Sequence, residues 1–152
     1  MKKFALVCGA SGSIGRAICE ELAQDGWSLY VHYNSGLERI QEMALSLSQR
    51  FSAQEFIPVQ ANFAEVDGAE ILASQLFSLQ AVIFANGHAY NQLLEDTSIQ
   101  EMEKLWRVHV QNPMHLLAKV SRKLRANETS YVLFIGSIWG TAGAAGEVVY
   151  SA

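Results

Sequence analysis

Short, mostly apolar runs alternate along this sequence with longer stretches in which apolar side chains recur every three or four residues. The apolar runs occupy residues 4–7, 29–33, 55–59, 81–85 and 131–135. The stretches with the period of one helix face cover residues 13–25, 35–49, 66–76 and 98–125. Residues 81–85 are apolar throughout, which is typical of a strand covered by helices on both sides of a parallel sheet. With right-handed crossovers, this alternation predicts an α/β fold: one domain, residues 1–152, with a doubly wound parallel sheet and helices on both faces.

The charge balance and the lengths of the apolar runs exclude several kinds of partner. The 152 residues include 11 Lys and Arg against 15 Asp and Glu, a net charge of −4. That balance lacks the positive charge that binding to a nucleic-acid backbone requires, and no apolar run approaches the roughly 20 residues that span a bilayer. The basic and apolar start resembles a signal peptide, but the glycines from Gly9 onward favour a first strand. We therefore expect a cytoplasmic protein in which Cys8 and Cys19 are buried, reduced thiols.

A glycine-rich segment, GASGSIG at residues 9–15, lies between the first predicted strand and the first predicted helix. Glycines allow a ligand to approach the backbone closely, and a helix N-terminus offers free N–H groups and partial positive charge to a pyrophosphate. No Gly-Lys-Ser or Gly-Lys-Thr follows, so the segment is not a P-loop. The alternative is that the glycines serve only the turn. The position after the first strand favours a dinucleotide site, with contacts from Gly9, Ser11, Gly12, Ser13, Ile14 and Gly15.

The end of the second predicted strand bears on which dinucleotide binds. An acidic side chain there would hold the ribose 2′-hydroxyl of NAD and repel a 2′-phosphate. Tyr33, Asn34 and Ser35 stand at this place instead, and each can donate a hydrogen bond. We therefore expect NADP(H) rather than NAD(H), with these three residues at the 2′-phosphate. The alternative for Ser35 is a helix cap, in a capping box with Glu38.

Two further residues complete a resemblance to a known family. Ser137 follows the fifth predicted strand, and Tyr150 comes 13 residues later at the start of a new helix. This pair and the glycine turn resemble the short-chain dehydrogenase/reductase family, whose turn reads T-G-x-x-x-G-x-G. Cys8 stands at the Thr position and Ser13 where a glycine is usual. The resemblance implies a Rossmann-like fold, with the closest likeness to the 3-oxoacyl-[acyl-carrier-protein] reductases of bacterial fatty acid synthesis.

The two side chains suit carbonyl reduction. Hydride transfer to a ketone builds negative charge on its oxygen, which a Ser137 hydrogen bond would stabilise and Tyr150 would protonate. The tyrosine benefits from a neighbouring cation, because its unperturbed pKa is near 10. The resemblance implies a lysine four residues after the tyrosine, beyond Ala152. We therefore expect this chain to be the cofactor-binding portion of a longer enzyme, truncated before the end of the family fold and inactive on its own.

The resemblance implies further site residues. Asn62 and Phe63 would contact the adenine, and Asn86 and Gly87 follow the fourth strand in a segment that departs from the family's N-N-A-G. His109 takes the place of an Asn whose carbonyl holds a water of the proton relay, and Pro113 is expected to free that carbonyl. His109 is thus a candidate relay residue, with a packed core histidine as the alternative. We also expect Trp106 in the core, and His88, Tyr90 and Trp139 near the substrate.

These observations predict an NADP(H)-dependent oxidoreductase that reduces a carbonyl to an alcohol. The expected substrate is a 3-oxoacyl thioester, free or bound to acyl carrier protein. The alternatives are reduction of another small carbonyl compound, and a dinucleotide-binding protein without catalysis. The resemblance implies a homotetramer of the full-length protein. No metal is expected, because His32, His88, His109 and His115 share no ligand spacing.

Overall fold

The computed structural model describes residues 2–152 and contains one parallel five-stranded sheet in the order β3-β2-β1-β4-β5. The strands are β1 (Phe4–Cys8), β2 (Ser28–Tyr33), β3 (Phe56–Gln60), β4 (Ala81–Phe84) and β5 (Tyr131–Phe134). After β3 the chain crosses to the other side of β1, so the sheet reverses its winding direction between β1 and β4. This confirms the predicted doubly wound fold, in which ligands bind beyond the carboxyl ends of the strands at that reversal.

Helices cover both faces of the sheet. They are α1 (Ser13–Gln24), α2 (Leu37–Arg50), α3 (Gly68–Ser74), α4 (Ile99–Trp106), α5 (Asn112–Arg125) and α6 (Val148–Ser151). Short 3-10 turns lie at Leu94–Asp96 and Ile138–Gly140. The capping box expected at Ser35 and Glu38 is wrong, because Gly36 is the N-cap of α2 and no side chain bonds to that cap. Along residues 2–152, no helix has the length and apolar character that a bilayer span requires.

The core has two halves, because successive side chains of a strand point to opposite faces of the sheet. Leu6 of β1 packs on the side covered by α3 and α5, whereas its neighbour Val7 packs on the side covered by α1 and α2. Every residue of β4 is buried, as its apolar sequence predicted. β5 differs, since it pairs with β4 alone and its four side chains are 43–56% exposed. Cys8 and Cys19 are buried free thiols, and burial raises the pKa of each.

A π-helical segment, Arg107–Gln111, interrupts the single long helix that the periodicity predicted. Within it the Asn112 N–H donates to the Arg107 carbonyl, five residues back. The next bond of this pattern would join residue 113 to Val108, but Pro113 has no N–H. The proline therefore leaves open the carbonyl of Val108, one residue before the expected position at His109. Asn86 Nδ2 donates to that carbonyl over 2.9 Å, which ties the segment after β4 to the helix.

Asn112 is fully buried and anchors the segment that follows β3. Its Oδ1 accepts from the Ala69 N–H at 3.0 Å. Its Nδ2 donates to the Phe63 carbonyl at 2.8 Å and to the Glu65 carbonyl at 2.7 Å. A buried amide with three such bonds contributes to stability because each backbone partner would otherwise lack a hydrogen bond. Asn112 thus holds residues 63–69 against α5.

We expect Asn112→Leu, which keeps the branching of the side chain at Cγ, to lower the free energy of unfolding by about 3 kcal/mol, since three backbone groups lose their partner. Urea unfolding measures the change. Arg122→Ala, at an exposed position of the same helix, is the control and should lie within about 0.5 kcal/mol of the wild type. An Asn112→Leu protein as stable as the control would contradict the anchoring role.

Candidate active site

The glycine turn packs so tightly that side chains are excluded from it. Gly9 has φ of +75°, and a Cβ there would lie 2.7 Å from the Asn86 Cα and 2.8 Å from the Ala85 carbonyl oxygen. A Cβ on Gly15 would collide with the Gly9 carbonyl. The turn thus brings the start of α1 against the ends of β1 and β4. The first turn of α1, which begins at Ser13, carries no Asp or Glu, so its partial positive charge is not neutralised.

A first cavity of about 350 Å³ lies beyond the carboxyl ends of β1 to β4. Each of the segments that follow β1, β2, β3 and β4 contributes at least one predicted residue to its wall, as expected for parallel strands that end at one edge of the sheet. The predicted residues in its wall are Gly9, Ser11, Gly12, Asn34, Asn62, Phe63, Asn86 and Gly87. His88 and Lys104 line it as well. Tyr33 and Ser35 stand at the end of β2 but outside this wall.

A second cavity of about 360 Å³ adjoins the first, since the segment from Ala85 to Gly87 borders both. It brings together the three residues predicted for catalysis, Ser137, Tyr150 and His109. Ile14 of the glycine turn also lines it. The other two predicted residues of the turn, Ser13 and Gly15, form the start of α1 and line neither cavity.

Ser137 has a hydroxyl hydrogen free for another partner. Its Oγ accepts a hydrogen bond from the Trp139 N–H at 3.3 Å, and a hydroxyl that accepts can still donate. Tyr150 lies in α6, and its ring meets the His109 ring edge-on at 5.4 Å between centroids. The second cavity therefore combines a hydroxyl donor with a phenol that His109 orients by packing.

His109 is half-buried and fixes the segment after β4. Its Nε2 lies 3.1 Å from the His88 backbone nitrogen and 3.2 Å from the His88 carbonyl oxygen, so it accepts from one or donates to the other according to its tautomer. Burial lowers the pKa of His109, against the opposing effect of the bond to His88. The ring lies against Gly87, where an added Cβ would be 3.4 Å from its Cε1. The side chain is thus a neutral contact between this segment and Tyr150.

Sequence reasoning missed His32, which lies in the wall of the first cavity and is 3% exposed. Its Nδ1 accepts from the Gly9 N–H at 3.1 Å, and its Nε2 donates to the Ala61 carbonyl at 3.0 Å. Burial lowers the pKa of His32 to about 4, although the bond to Ala61 acts in the opposite direction. The signal available in the sequence was a single histidine within an otherwise apolar strand, beside its predicted end.

Arg39 was not among the predicted residues, because it lies four residues beyond Ser35, inside α2. It stands in the first turn of α2, where its Nε and the Ser11 side chain both lie against Gly36. A Cβ on Gly36 would be 3.1 Å from the Ser11 Cβ and 3.7 Å from the Arg39 Nε. A cation is therefore available beside the serine of the glycine turn.

The aromatic residues expected in the core or near the substrate differ in where they lie. Trp106 is 57% exposed on α4, so its expected place in the core is wrong. His88 lines the first cavity, but Tyr90 and Trp139 line neither of the two. Within the described residues, 2–152, no three His, Cys, Asp or Glu side chains are grouped as metal ligands.

The family model described as short chain dehydrogenase matches residues 3–152. The chain is 34% identical over 152 residues to the uncharacterized oxidoreductase YmfI of Bacillus subtilis, covering 99% of this chain and 62% of that protein. It is 25% identical over 156 residues to the 3-oxoacyl-[acyl-carrier-protein] reductase FabG of Staphylococcus aureus, covering 100% and 63%. The chain thus spans less than two thirds of these relatives.

Solved structures share the fold. A short chain dehydrogenase from Burkholderia cenocepacia in complex with NADP matches with a TM-score of 0.86 and 25% identity, covering 98% of this chain and 61% of that one. L-sorbose reductase from Gluconobacter frateurii, complexed with NADPH and L-sorbose, matches with a TM-score of 0.90 and 21% identity, covering 99% and 58%.

We expect stability to depend on pH through His32. Between about pH 6.5 and 4 the unfolded chain takes up a proton at this residue while the folded chain does not, so stability falls as pH falls through that window. His32→Asn binds no proton and should lose less stability between pH 7 and 4, by up to about 3 kcal/mol. Urea unfolding at several pH values measures the difference. Parallel losses in the two proteins would contradict the prediction.

Proposed function

The chain belongs to the short-chain dehydrogenase family, and from that membership we propose that the protein is an NADP(H)-dependent oxidoreductase that reduces a carbonyl to an alcohol. The observation that carries the proposal is that the first and second cavities adjoin along the segment from Ala85 to Gly87. One contains the glycine turn, and the other contains Ser137 and Tyr150. A dinucleotide laid across both would place its reactive end beside the hydroxyl and the phenol.

The residues of the first cavity fit a dinucleotide. Gly9, Ser11 and Gly12 line this cavity, and Gly12 is the N-cap of α1, whose first turn carries no acidic side chain that would repel a pyrophosphate. Asn86 Oδ1 is buried and has no hydrogen-bond partner in the described chain, so it can accept from a ligand hydroxyl. Asn62 and Phe63 would hold the adenine end. The solved relatives that contain NADP or NADPH support this assignment.

We assign the preference for NADP(H) to the end of β2 and the start of α2. Tyr33, Asn34 and Ser35 offer hydrogen-bond donors, and none of them repels a phosphate. The Arg39 Nε and the Ser11 side chain both lie within 4 Å of the place that a Cβ on Gly36, the residue after Ser35, would take. A guanidinium paired with a phosphate makes charge-assisted, often bidentate hydrogen bonds, which a ribose hydroxyl cannot match. This arrangement favours a 2′-phosphate.

The reaction divides between two side chains. Ser137 donates its free hydroxyl hydrogen to the carbonyl oxygen as negative charge develops there. Tyr150 gives the proton that converts this oxygen to a hydroxyl. His109 orients the Tyr150 ring from its edge, and through His88 it fixes the segment that separates the two cavities. When bound, the dinucleotide supplies the hydride.

A 3-oxoacyl thioester, including one carried on acyl carrier protein, is the proposed substrate, in support of fatty acid synthesis. The relative FabG, a 3-oxoacyl-[acyl-carrier-protein] reductase, supports this choice at 25% identity. Another small carbonyl compound is the alternative, because fold-level likeness extends to reductases of other substrates, such as L-sorbose.

We also propose a cytoplasmic homo-oligomer, with the tetramer as the expected form. Large apolar side chains are exposed along α4 and α5, among them Ile99, Trp106 and Met114. An exposed apolar helix face of this kind is characteristic of a contact between subunits. The buried free thiols are in keeping with a reducing compartment.

For catalysis, we expect Tyr150→Phe in the full-length protein to slow NADPH oxidation with a β-ketoacyl thioester about 100-fold or more, since the proton donor is lost. The dissociation constant for NADPH should stay unchanged. Val148→Ala, an exposed position of the same helix, is the control and should keep its activity. Equal rates in Tyr150→Phe and wild type would contradict the assignment. Binding of NADPH with no turnover of any carbonyl would favour a dinucleotide-binding protein without catalysis.

For cofactor choice, we expect NADPH to bind more tightly than NADH, and Arg39→Gln to weaken NADPH binding about 10-fold with little effect on NADH. Isothermal titration calorimetry measures both constants. Arg50→Gln is the matched control, because Arg50 lies at the opposite end of α2 in an ion pair with Glu20. Tighter binding of NADH to the wild type would refute the preference for NADP(H).

A further inference from the structure

We propose that His32 is a positioning residue of the dinucleotide site, whose imidazole couples the glycine turn to the segment Ala61 to Phe63. The inference rests on the proposed binding of a dinucleotide and assigns the residue that sets the spacing between its pyrophosphate and adenine ends. His32 would touch neither the substrate nor the reacting atoms.

On one side, His32 holds the start of the glycine turn. Its Nδ1 accepts from the Gly9 N–H at 3.1 Å, and its own carbonyl accepts from the Ala10 N–H at 2.9 Å. Among residues 2–152, no other side chain is hydrogen-bonded to the backbone of residues 9–15. The conformation of Gly9, with φ of +75°, is thus supported by a bond to the ring.

On the other side, His32 holds the segment that follows β3. Its Nε2 donates to the Ala61 carbonyl at 3.0 Å, and its ring stacks on Phe63 with 5.1 Å between centroids and 29° between planes. Ala61, Phe63 and the imidazole all line the first cavity. The ring therefore sets where the adenine wall stands relative to the glycine turn.

Only one protonation state of the ring allows both bonds. The Gly9 N–H can only donate, so Nδ1 must present a lone pair, and the Ala61 carbonyl can only accept, so Nε2 must carry the hydrogen. Burial keeps the imidazole in this neutral form by lowering its pKa. A planar ring with a fixed tautomer cannot shorten or rotate one bond without disturbing the other.

The role proposed for His32 differs from that of a residue that only supports the segment after β3. Asn112 also holds this segment, through the carbonyls of Phe63 and Glu65, but it reaches from α5 and forms no bond to the turn. His32 is bonded to both loops at once. Loss of the imidazole would leave the backbone bonds from the Ala10 N–H to the carbonyl of residue 32 and from the Ala61 N–H to the Tyr33 carbonyl, but no side chain would then link the two loops.

Two variants and one control test the proposal. His32→Leu removes both bonds, whereas His32→Asn keeps an acceptor near the Gly9 N–H but cannot reach the Ala61 carbonyl. Tyr30→Phe is the matched control. Tyr30 lies on the same face of β2, and its replacement removes one part-buried hydrogen bond, from the Phe77 N–H to the tyrosine hydroxyl at 3.2 Å. NADPH and 2′,5′-ADP are the probes, and calorimetry measures their dissociation constants. Circular dichroism shows whether each variant is folded.

We expect the dissociation constant for NADPH to rise about 10-fold or more in His32→Leu and about 3-fold in His32→Asn, a partial rescue. The dissociation constant for 2′,5′-ADP should also rise more in His32→Leu than in His32→Asn. Tyr30→Phe should bind both probes as tightly as the wild type does. Should His32→Leu be unfolded, His32→Asn decides alone.

Unchanged NADPH binding in either folded His32 variant would overturn the proposal. Equal weakening in Tyr30→Phe and the His32 variants would also overturn it, because general destabilisation would then explain the loss. A wild-type protein that does not bind NADPH would refute the proposed cofactor itself, which distinguishes that failure from a failure of the positioning role alone.

Discussion

The contact between the two glycines of the first turn determines how the remaining site is built. Gly15 lies so close to the Gly9 carbonyl that no side chain fits between them, and Gly9 is also too close to the backbone at Asn86 for a Cβ. These approaches bring the N-terminus of α1 and the ends of β1 and β4 to one point at the reversal of the sheet. A methyl group at Gly9 or Gly15 would force these elements apart.

Hydrogen bonds from buried or partly buried polar side chains fix the loops around the two cavities. Asn86, His32 and Asn112 each bond the backbone of a segment distant in sequence, at a site where apolar packing alone would leave the loops free to move. Such bonds are stronger in a poorly solvated interior, and an unpaired partner there is correspondingly unfavourable. The walls of both cavities are therefore held by hydrogen bonds as well as by the hydrophobic core.

The alternation of apolar runs with helical periodicity was enough to predict every strand of the sheet and its winding. The family resemblance of Ser137 and Tyr150 led us to expect both residues at one site, and both line the second cavity. The π-helical segment was not predicted, because a single 3.6-residue pattern over residues 98–125 makes no allowance for the extra residue of a π turn, which shifts that pattern by about 100°. Trp106 was predicted in the core but is exposed, because periodicity identifies an apolar face without indicating what covers that face.

His32 and Arg39 escaped prediction for a different reason. Their roles depend on which loops the fold brings beside them, and neither residue belongs to a recognisable motif in the sequence. On the proposed function, one dinucleotide spans both cavities. A crystal structure with NADPH tests it most directly. We predict the pyrophosphate within ~3 Å of the backbone N–H groups at the start of α1 and the nicotinamide ring beside Tyr150. A nucleotide bound outside the two cavities, or turned so that its nicotinamide lies at Phe63, would contradict the account.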